Sequence, residues 1–222
     1  MFKKATRAQT FLRMALMGPP GSGKTYSSLC IAEGLGKKIA LIDTERGSAS
    51  KYAELVDFDV MELAEYHPKK YIEAMYAAHK GEYDVLIIDS LSHAWAGKGG
   101  VLEIVDRAKG KGGNQFNAWA EPSKLQQELV DTILRIPMHV IVTMRSKMAY
   151  VVEENERGKS VPRKVGMAPV QRDGVEYEFD VVGEMSDATL HITKSRLDFL
   201  QGEVIEEPGT QLGQSIFNFL RN

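Results

Sequence analysis

The eight residues Gly18-Pro19-Pro20-Gly21-Ser22-Gly23-Lys24-Thr25 constrain this chain more than any other stretch. They read G-x-x-x-x-G-K-T, with an apolar run from Phe11 to Met17 before them and a helical pattern from Tyr26 to Glu33 after them. In a strand–loop–helix setting, such glycines let successive backbone N–H groups curl around a phosphate, and the helix N-terminus adds its positive dipole end. Lys24 is expected to reach the β- and γ-phosphates, and the Thr25 hydroxyl to bind Mg²⁺. Pro19, Pro20, Ser22 and Tyr26 complete the expected nucleotide-binding stretch. The motif predicts a nucleoside triphosphate ligand, with Mg²⁺ as its expected companion.

Composition narrows the class. The 222 residues suit one large domain over residues 11–222, preceded by a basic tail at 1–10. A formal net charge of −2 gives no overall basic signature, so any nucleic-acid surface must be local. The one cysteine, Cys30, cannot form an internal disulfide; a small core residue and a cytoplasmic setting are expected. The five histidines show no metal-ligand spacing. No apolar run is long enough for a membrane span, and Met1 to Arg7 lacks the apolar core of a signal peptide.

Further along, Lys38 to Asp43 and Tyr83 to Ser90 are short continuous apolar runs, typical of strands buried on both faces. Val56 to Leu63 and Met138 to Met144 are also expected strands. Helical spacing (Tyr71, Ile72, Met75, Tyr76, His79) predicts a helix from Pro68 to Gly81, and another begins near Pro122. Strands alternating with helices predict a parallel, helix-covered sheet with the ligand at the strands' carboxyl ends. Gly18, Glu45, Asp89 and Thr143 would gather on that edge, with Asp89 as the Mg²⁺ carboxylate. Asp180–Glu184 and Leu190–Thr193 read as a strand pair, followed by a helix carrying Ile216, Phe217 and Leu220.

Two basic stretches interrupt the rhythm. Residues 107–119 carry Arg107, Lys109 and Lys111, then Phe116 and Trp119. Residues 145–172 have hairpin character and carry Arg145, Lys147, Arg157, Lys159, Arg163, Lys164 and Arg172, diluted by Glu153, Glu154 and Glu156.

Ser90 follows Asp89, so a catalytic base must come from elsewhere, and Glu45 at the end of Ile42-Asp43-Thr44-Glu45 is the clearest candidate. With these residues the chain resembles the RecA family, whose members pair a metal aspartate followed by serine with an I-D-x-E glutamate. His191-Ile192-Thr193-Lys194-Ser195-Arg196 is similar to the K-x-K or K-x-R strand end of RecA and DnaB-type proteins. The resemblance implies that Lys194 and Arg196 reach a neighbour's γ-phosphate and are catalytic in trans, which requires a homo-oligomeric ring or filament. It also implies that the two basic stretches are single-stranded-DNA loops, with cations on phosphates and Phe116, Trp119 or Tyr150 on bases.

The short length and the run Val165 to Asp180 resemble the short RecA-like ATPases of bacteriophages, some of them in the Sak group of single-strand annealing proteins. The implied fold is a RecA-like P-loop core with C-terminal antiparallel strands. The implied activity is DNA-stimulated ATP hydrolysis in recombination, in the host cytoplasm if phage-encoded, with a single-strand-binding protein as a possible partner. Phe2-x-x-Ala5 echoes the F-x-x-A hook of archaeal and eukaryotic recombinases. Two departures stand out: there is no room for RecA's terminal domains, and Thr143-Met144-Arg145 replace its relay glutamine. Two other readings stay open, a RecA-fold ATPase acting on a protein partner in the manner of KaiC, and a monomeric P-loop kinase.

Overall fold

The computed structural model describes residues 10–109, 117–154 and 160–221. Strand β1 (Arg13–Gly18) runs into the glycine loop, and helix α1 (Lys24–Leu35) leaves it. Then follow β2 (Ile39–Asp43), β3 (Asp59–Glu62), α2 (Pro68–Lys80), β4 (Val85–Asp89), α3 (Ser92–Ala96), α4 (Val101–Lys109) and α5 (Ala120–Arg135). The long strand β5 (His139–Glu154) and β6 (Ser160–Pro169) form a hairpin, and β7 (Val181–Ser186), β8 (Thr189–Ser195), β9 (Val204–Glu206) and α6 (Thr210–Arg221) close the chain.

The strands order as β3-β2-β4-β5-β1-β7-β8-β9, with β6 attached to β5. Pairing is parallel from β3 through β7, and antiparallel for β7–β8, β8–β9 and β5–β6. This is the α/β RecA-like P-loop core, with antiparallel strands at the C-terminal side, that the sequence implies.

Both sheet faces are covered, as continuous apolar strands require. In β4, Leu86 and Ile88 pack with Tyr71 and Met75 of α2 and Leu129 and Ile133 of α5. Val85 and Ile87 face the opposite layer, with Leu29 and Leu35 of α1 and Leu212 and Ile216 of α6. α1 and α6 cross where two glycines meet: a Cβ added to Gly213 would lie 2.1 Å from the Ile31 carbonyl oxygen. A methyl group there would force these helices apart.

Three details differ from expectation. The strand expected over Val56 to Leu63 is only Asp59–Glu62, an exposed strand at the sheet's end. Strand β5 does not stop at Met144. Its last pairing with β1 is Gly18↔Arg145, and its first with β6 is Ser146↔Pro169, so one strand passes from core to ribbon at Arg145. Cys30, expected in the core, is only half-buried.

The edge opposite the glycine loop has its own polar core. Arg13 is 6% exposed, and its guanidinium donates to the carbonyls of Leu12, Leu134, Ile136 and Met138 at 2.5–3.1 Å. It thereby satisfies the last carbonyls of α5. Beside it, His139 Nδ1 accepts the Leu12 N–H at 3.0 Å, so the ring is needed neutral at that nitrogen. Burial, with help from Arg13 and Arg221 and against Asp84, pulls His139 from 6.5 down to about 4.

Its folded pKa is depressed, so the stabilisation is complete above the unfolded value and is lost as pH falls through about 4. A depression that wide is worth up to about 3 kcal/mol. Urea unfolding at pH 7 and pH 4.5 should therefore show a smaller loss of stability for His139→Gln than for the wild type. Equal losses would show that His139 is not the titrating group.

Candidate functional site

The carboxyl ends of β1, β2 and β4, and β5 where it leaves the core sheet, bring the expected residues together. The loop between β1 and α1 turns on Gly21 and Gly23, at φ of 78° and 93°, in the left-handed region that favours glycine. Gly18 must also lack a side chain, since a Cβ there would meet the Met185 carbonyl oxygen at 2.5 Å. The Lys24 ammonium lies inside its own loop, donating to the carbonyls of Gly18 at 3.0 Å and Pro19 at 2.8 Å. Burial lowers its pKa; Asp89 and Glu45 oppose that effect and Arg145 adds to it.

Asp89 is 3% exposed at the end of β4. Its carboxylate accepts from Thr25 Oγ1 at 2.6 Å and Thr143 Oγ1 at 2.5 Å. Burial raises its pKa, the two hydroxyls counteract this, and Glu45 and Asp43 add to the rise. Mg²⁺ is commonly held by one or two carboxylates, with phosphate oxygens and waters filling its shell. The Thr25–Asp89 pair fits that donor set, and among the described residues no group of three or more acidic, histidine or cysteine side chains is arranged to hold a metal ion.

Asp43 and Glu45 behave differently although only two residues apart. Asp43 is 1% exposed and accepts the backbone N–H groups of Glu45 at 2.5 Å and Ala49 at 3.3 Å, so it shapes the loop after β2. Glu45 projects toward β5, where its Oε1 accepts from Arg145 Nε at 3.0 Å and Nη2 at 2.8 Å. The side chains are 30% and 46% exposed.

Several participants gave no sequence signal. Thr44 joins the ends of β2 and β4: its N–H donates to the Asp89 carbonyl, and its hydroxyl accepts the Ser90 N–H at 2.8 Å. That hydroxyl is also 2.7 Å from His93 Nδ1. Tyr66 stacks on His93, with ring centroids 4.8 Å apart, and donates to the Thr44 carbonyl. Burial and Arg145 lower the His93 pKa, while Glu45 and Asp43 oppose them. A histidine four residues past a strand-end aspartate has no motif of its own; only the fold brings it to Thr44.

The remaining candidates are scattered. Tyr26 is exposed beside Tyr52, with centroids 5.7 Å apart. Lys194 and Arg196 lie at the far edge, because β8 runs antiparallel to β7 and Ser195 pairs with Val181, level with Met14 of β1. The Lys194 ammonium donates to the carbonyls of Glu176, Tyr177 and Phe179, and Arg196 pairs with Asp180 at 3.0 Å. Burial and Arg196 lower the Lys194 pKa, against the pull of Asp180, Glu178 and Glu176.

Arg107 and Lys109 require correction: they are not in a loop. Helix α4 continues through them because Val101 and Val105 are buried, and Arg107 pairs with Glu103 and Lys109 with Asp106 along the helix. Lys147 is exposed at the base of the ribbon. Arg163 and Lys164 lie on β6, in register with Val151 and Tyr150. Lys111, Phe116, Arg157 and Lys159, and the Phe2-x-x-Ala5 stretch, fall outside the described residues.

A glycine loop on a parallel sheet, with a lysine inside it and a buried hydroxyl–carboxylate pair beside it, defines a RecA-like P-loop nucleotide-binding protein. The chain belongs to the AAA domain family, whose model matches residues 10–206, and with it to the ATP-binding ATPases. Among curated proteins none matches. Among solved structures, a KaiC-like protein of the hyperthermophilic archaeon Pyrococcus horikoshii OT3 is similar with a TM-score of 0.48 at 15% identity, covering 90% of this chain and 89% of that one. A second Pyrococcus horikoshii OT3 structure gives 0.47 at 10% identity, covering 90% and 95%.

The hydroxyls on Asp89 generate a prediction. Thr143→Val keeps the shape of the side chain but removes one donor to a buried carboxylate, a loss of about 1.5–3 kcal/mol for a charged acceptor. The Mg²⁺ concentration needed for half-maximal binding of a fluorescent ATP analogue should rise about tenfold or more, and Thr143→Ser should restore it. An unchanged Mg²⁺ midpoint would show that Thr143 does not orient Asp89 for Mg²⁺ binding.

Proposed function

We propose that this chain is an assembly-dependent ATPase that acts on a protein partner through the β5–β6 ribbon. The observation that carries this reading is β5 itself, which holds Thr143 against Asp89 and three residues later becomes the ribbon. In this reading Lys24 binds the β- and γ-phosphates, and Thr25 and Asp89 hold Mg²⁺, which supplies charge neutralisation on the phosphate oxygens. Glu45 takes the proton of the attacking water, and the loop N–H groups orient the chain of phosphates. Lys194 and Arg196, too far along the sheet to serve their own loop, complete a neighbouring copy's site. Their charge stabilises the transferring phosphoryl group.

A protein partner suits the charge pattern, because Arg107 and Lys109 are paired within α4 and the ribbon mixes acids with bases. One observation favours single-stranded DNA as a second reading: residues 145–172 carry seven Lys or Arg against Glu153, Glu154, Glu156 and Asp173 just beyond. Contacts to phosphate are salt-sensitive, which makes the two readings separable.

ATP turnover should be measured across a protein concentration series with and without single-stranded DNA. Specific activity is expected to climb with concentration, and Arg196→Ala to remove the climb while leaving nucleotide binding intact. Activity independent of concentration would point instead to a monomeric P-loop enzyme. Stimulation by DNA that fades with salt would replace the protein-partner reading with the DNA one. Glu45→Gln should bind ATP yet turn it over about 10²-fold or more slowly; near-normal turnover would remove Glu45 from the base role.

A further inference from the structure

At the end of the sheet opposite the glycine loop lies a cavity of about 480 Å³, a size that suits a small organic ligand. Leu35 and Gly36 reach it from the last turn of α1, whose first turn carries Lys24 and Thr25. Roughly 17 Å of helix therefore separates it from the phosphate loop. The cavity is a second place in the molecule, and the mechanism above makes no use of it.

His139 lines this cavity and is 8% exposed. Its Nδ1 accepts the Leu12 N–H, so in the neutral ring the proton is on Nε2. The Nε2–H has no acceptor among the described residues. Buried donors are nearly always paired, so an open one beside a cavity points to an acceptor on whatever the cavity receives. The walls next to the imidazole are aromatic: the centroids of Phe11 and Phe217 lie 5.5 and 6.3 Å from its own.

The rim is cationic. The Arg221 guanidinium sits 4.6 Å from the centroid of the Phe217 ring, and Lys37 is exposed. Neither forms an ion pair among the described residues. Asp84 is the one carboxylate among the described lining residues, and its Oδ2 already accepts the N–H groups of Lys37 and Lys38 at 2.8 and 2.9 Å. Two cations against one engaged carboxylate favour a negatively charged ligand, while the aromatic walls favour a flat apolar one.

We propose that this cavity is a binding site for a small amphipathic anion. Its flat apolar body packs against Phe11 and Phe217, its acidic group faces Arg221 and Lys37, and an acceptor atom meets the His139 Nε2–H. The proposal is independent of the ATPase reading.

The test uses two fluorescent probes that share one flat body, 1-anilinonaphthalene-8-sulfonate and its uncharged counterpart N-phenyl-1-naphthylamine. The sulfonate should bind the folded full chain saturably at one site. Arg221→Gln should weaken the sulfonate by about fivefold, the worth of a partly exposed charge contact, and leave the uncharged probe within about twofold. Phe217→Ala should weaken both probes, by about tenfold, because it removes a wall that each of them uses.

Absence of saturable sulfonate binding would overturn the proposal, as would equal responses of the two probes to Arg221→Gln or no response to Phe217→Ala. Thermal melting checks folding; if Phe217→Ala does not fold, Phe217→Leu takes its place, with a smaller loss expected for both probes. A non-hydrolysable ATP analogue should not displace the sulfonate, and Lys24→Ala should bind it as the wild type does. Displacement, or loss of binding in Lys24→Ala, would place the probe at the phosphate loop and overturn the second site while leaving the nucleotide reading intact.

Discussion

The buried carboxylate of Asp89 joins three stretches of chain that are distant in sequence. It accepts from Thr25 in the first turn of α1 and from Thr143 on β5, while its own strand β4 lies between β2 and β5. A charge that deep is tolerated only when its oxygens are hydrogen-bonded. The requirement sets the position of the phosphate loop relative to the sheet, because Thr25 cannot satisfy Asp89 unless α1 begins where it does. Thr44 then ties β2 to the same strand end, which brings Glu45 and His93 to the same edge.

The sheet divides the polar chemistry between two edges and leaves apolar layers on its faces. At one edge are the glycine loop, Asp43, Asp89, Thr143 and Glu45. At the other are Arg13, His139, Asp180, Lys194 and Arg196. Much of the second edge is structural: Arg13 closes the end of α5 and Lys194 caps the carbonyls of residues 176–179. Because β8 reverses direction after β7, its basic end is carried away from its own phosphate loop. A transition-state role for those cations therefore involves a second copy, which is why assembly enters the proposed mechanism.

Strand β5 belongs to both the core and the ribbon. Met144 is fully buried, Arg145 pairs with Glu45, and Ser146 begins the hairpin. A continuous strand is a stiff connection, so the ribbon cannot twist at its base without moving the backbone that carries Thr143 and Arg145. The link also runs through the return path, where Gln171 is bonded to the carbonyl just after the Asp89-Ser90 turn. This is a physical connection between the nucleotide edge and the part of the molecule proposed to meet a partner.

Local pattern determined a great deal in this chain. The G-x-x-x-x-G-K-T loop, the apolar runs ending in Asp43 and Asp89, and the Pro68 to Gly81 helix are legible because each is written in neighbouring residues. The parallel sheet and its antiparallel C-terminal strands follow from their alternation. What the sequence could not show depends on which distant groups compete for the same partner. Helix α4 absorbed Arg107 and Lys109 because burial of Val101 and Val105, together with i,i+4 pairing, outweighed the loop signal of the glycines beyond. Likewise the His93–Thr44 contact and the Glu45–Arg145 pair, separated by 49 and 100 residues, exist only because parallel pairing sets the ends of β2 and β4 beside the point where β5 leaves the core sheet. The residue types capable of this chemistry were present in the sequence; only the tertiary structure decided which of them are held by one another, because strand register is settled by long-range pairing.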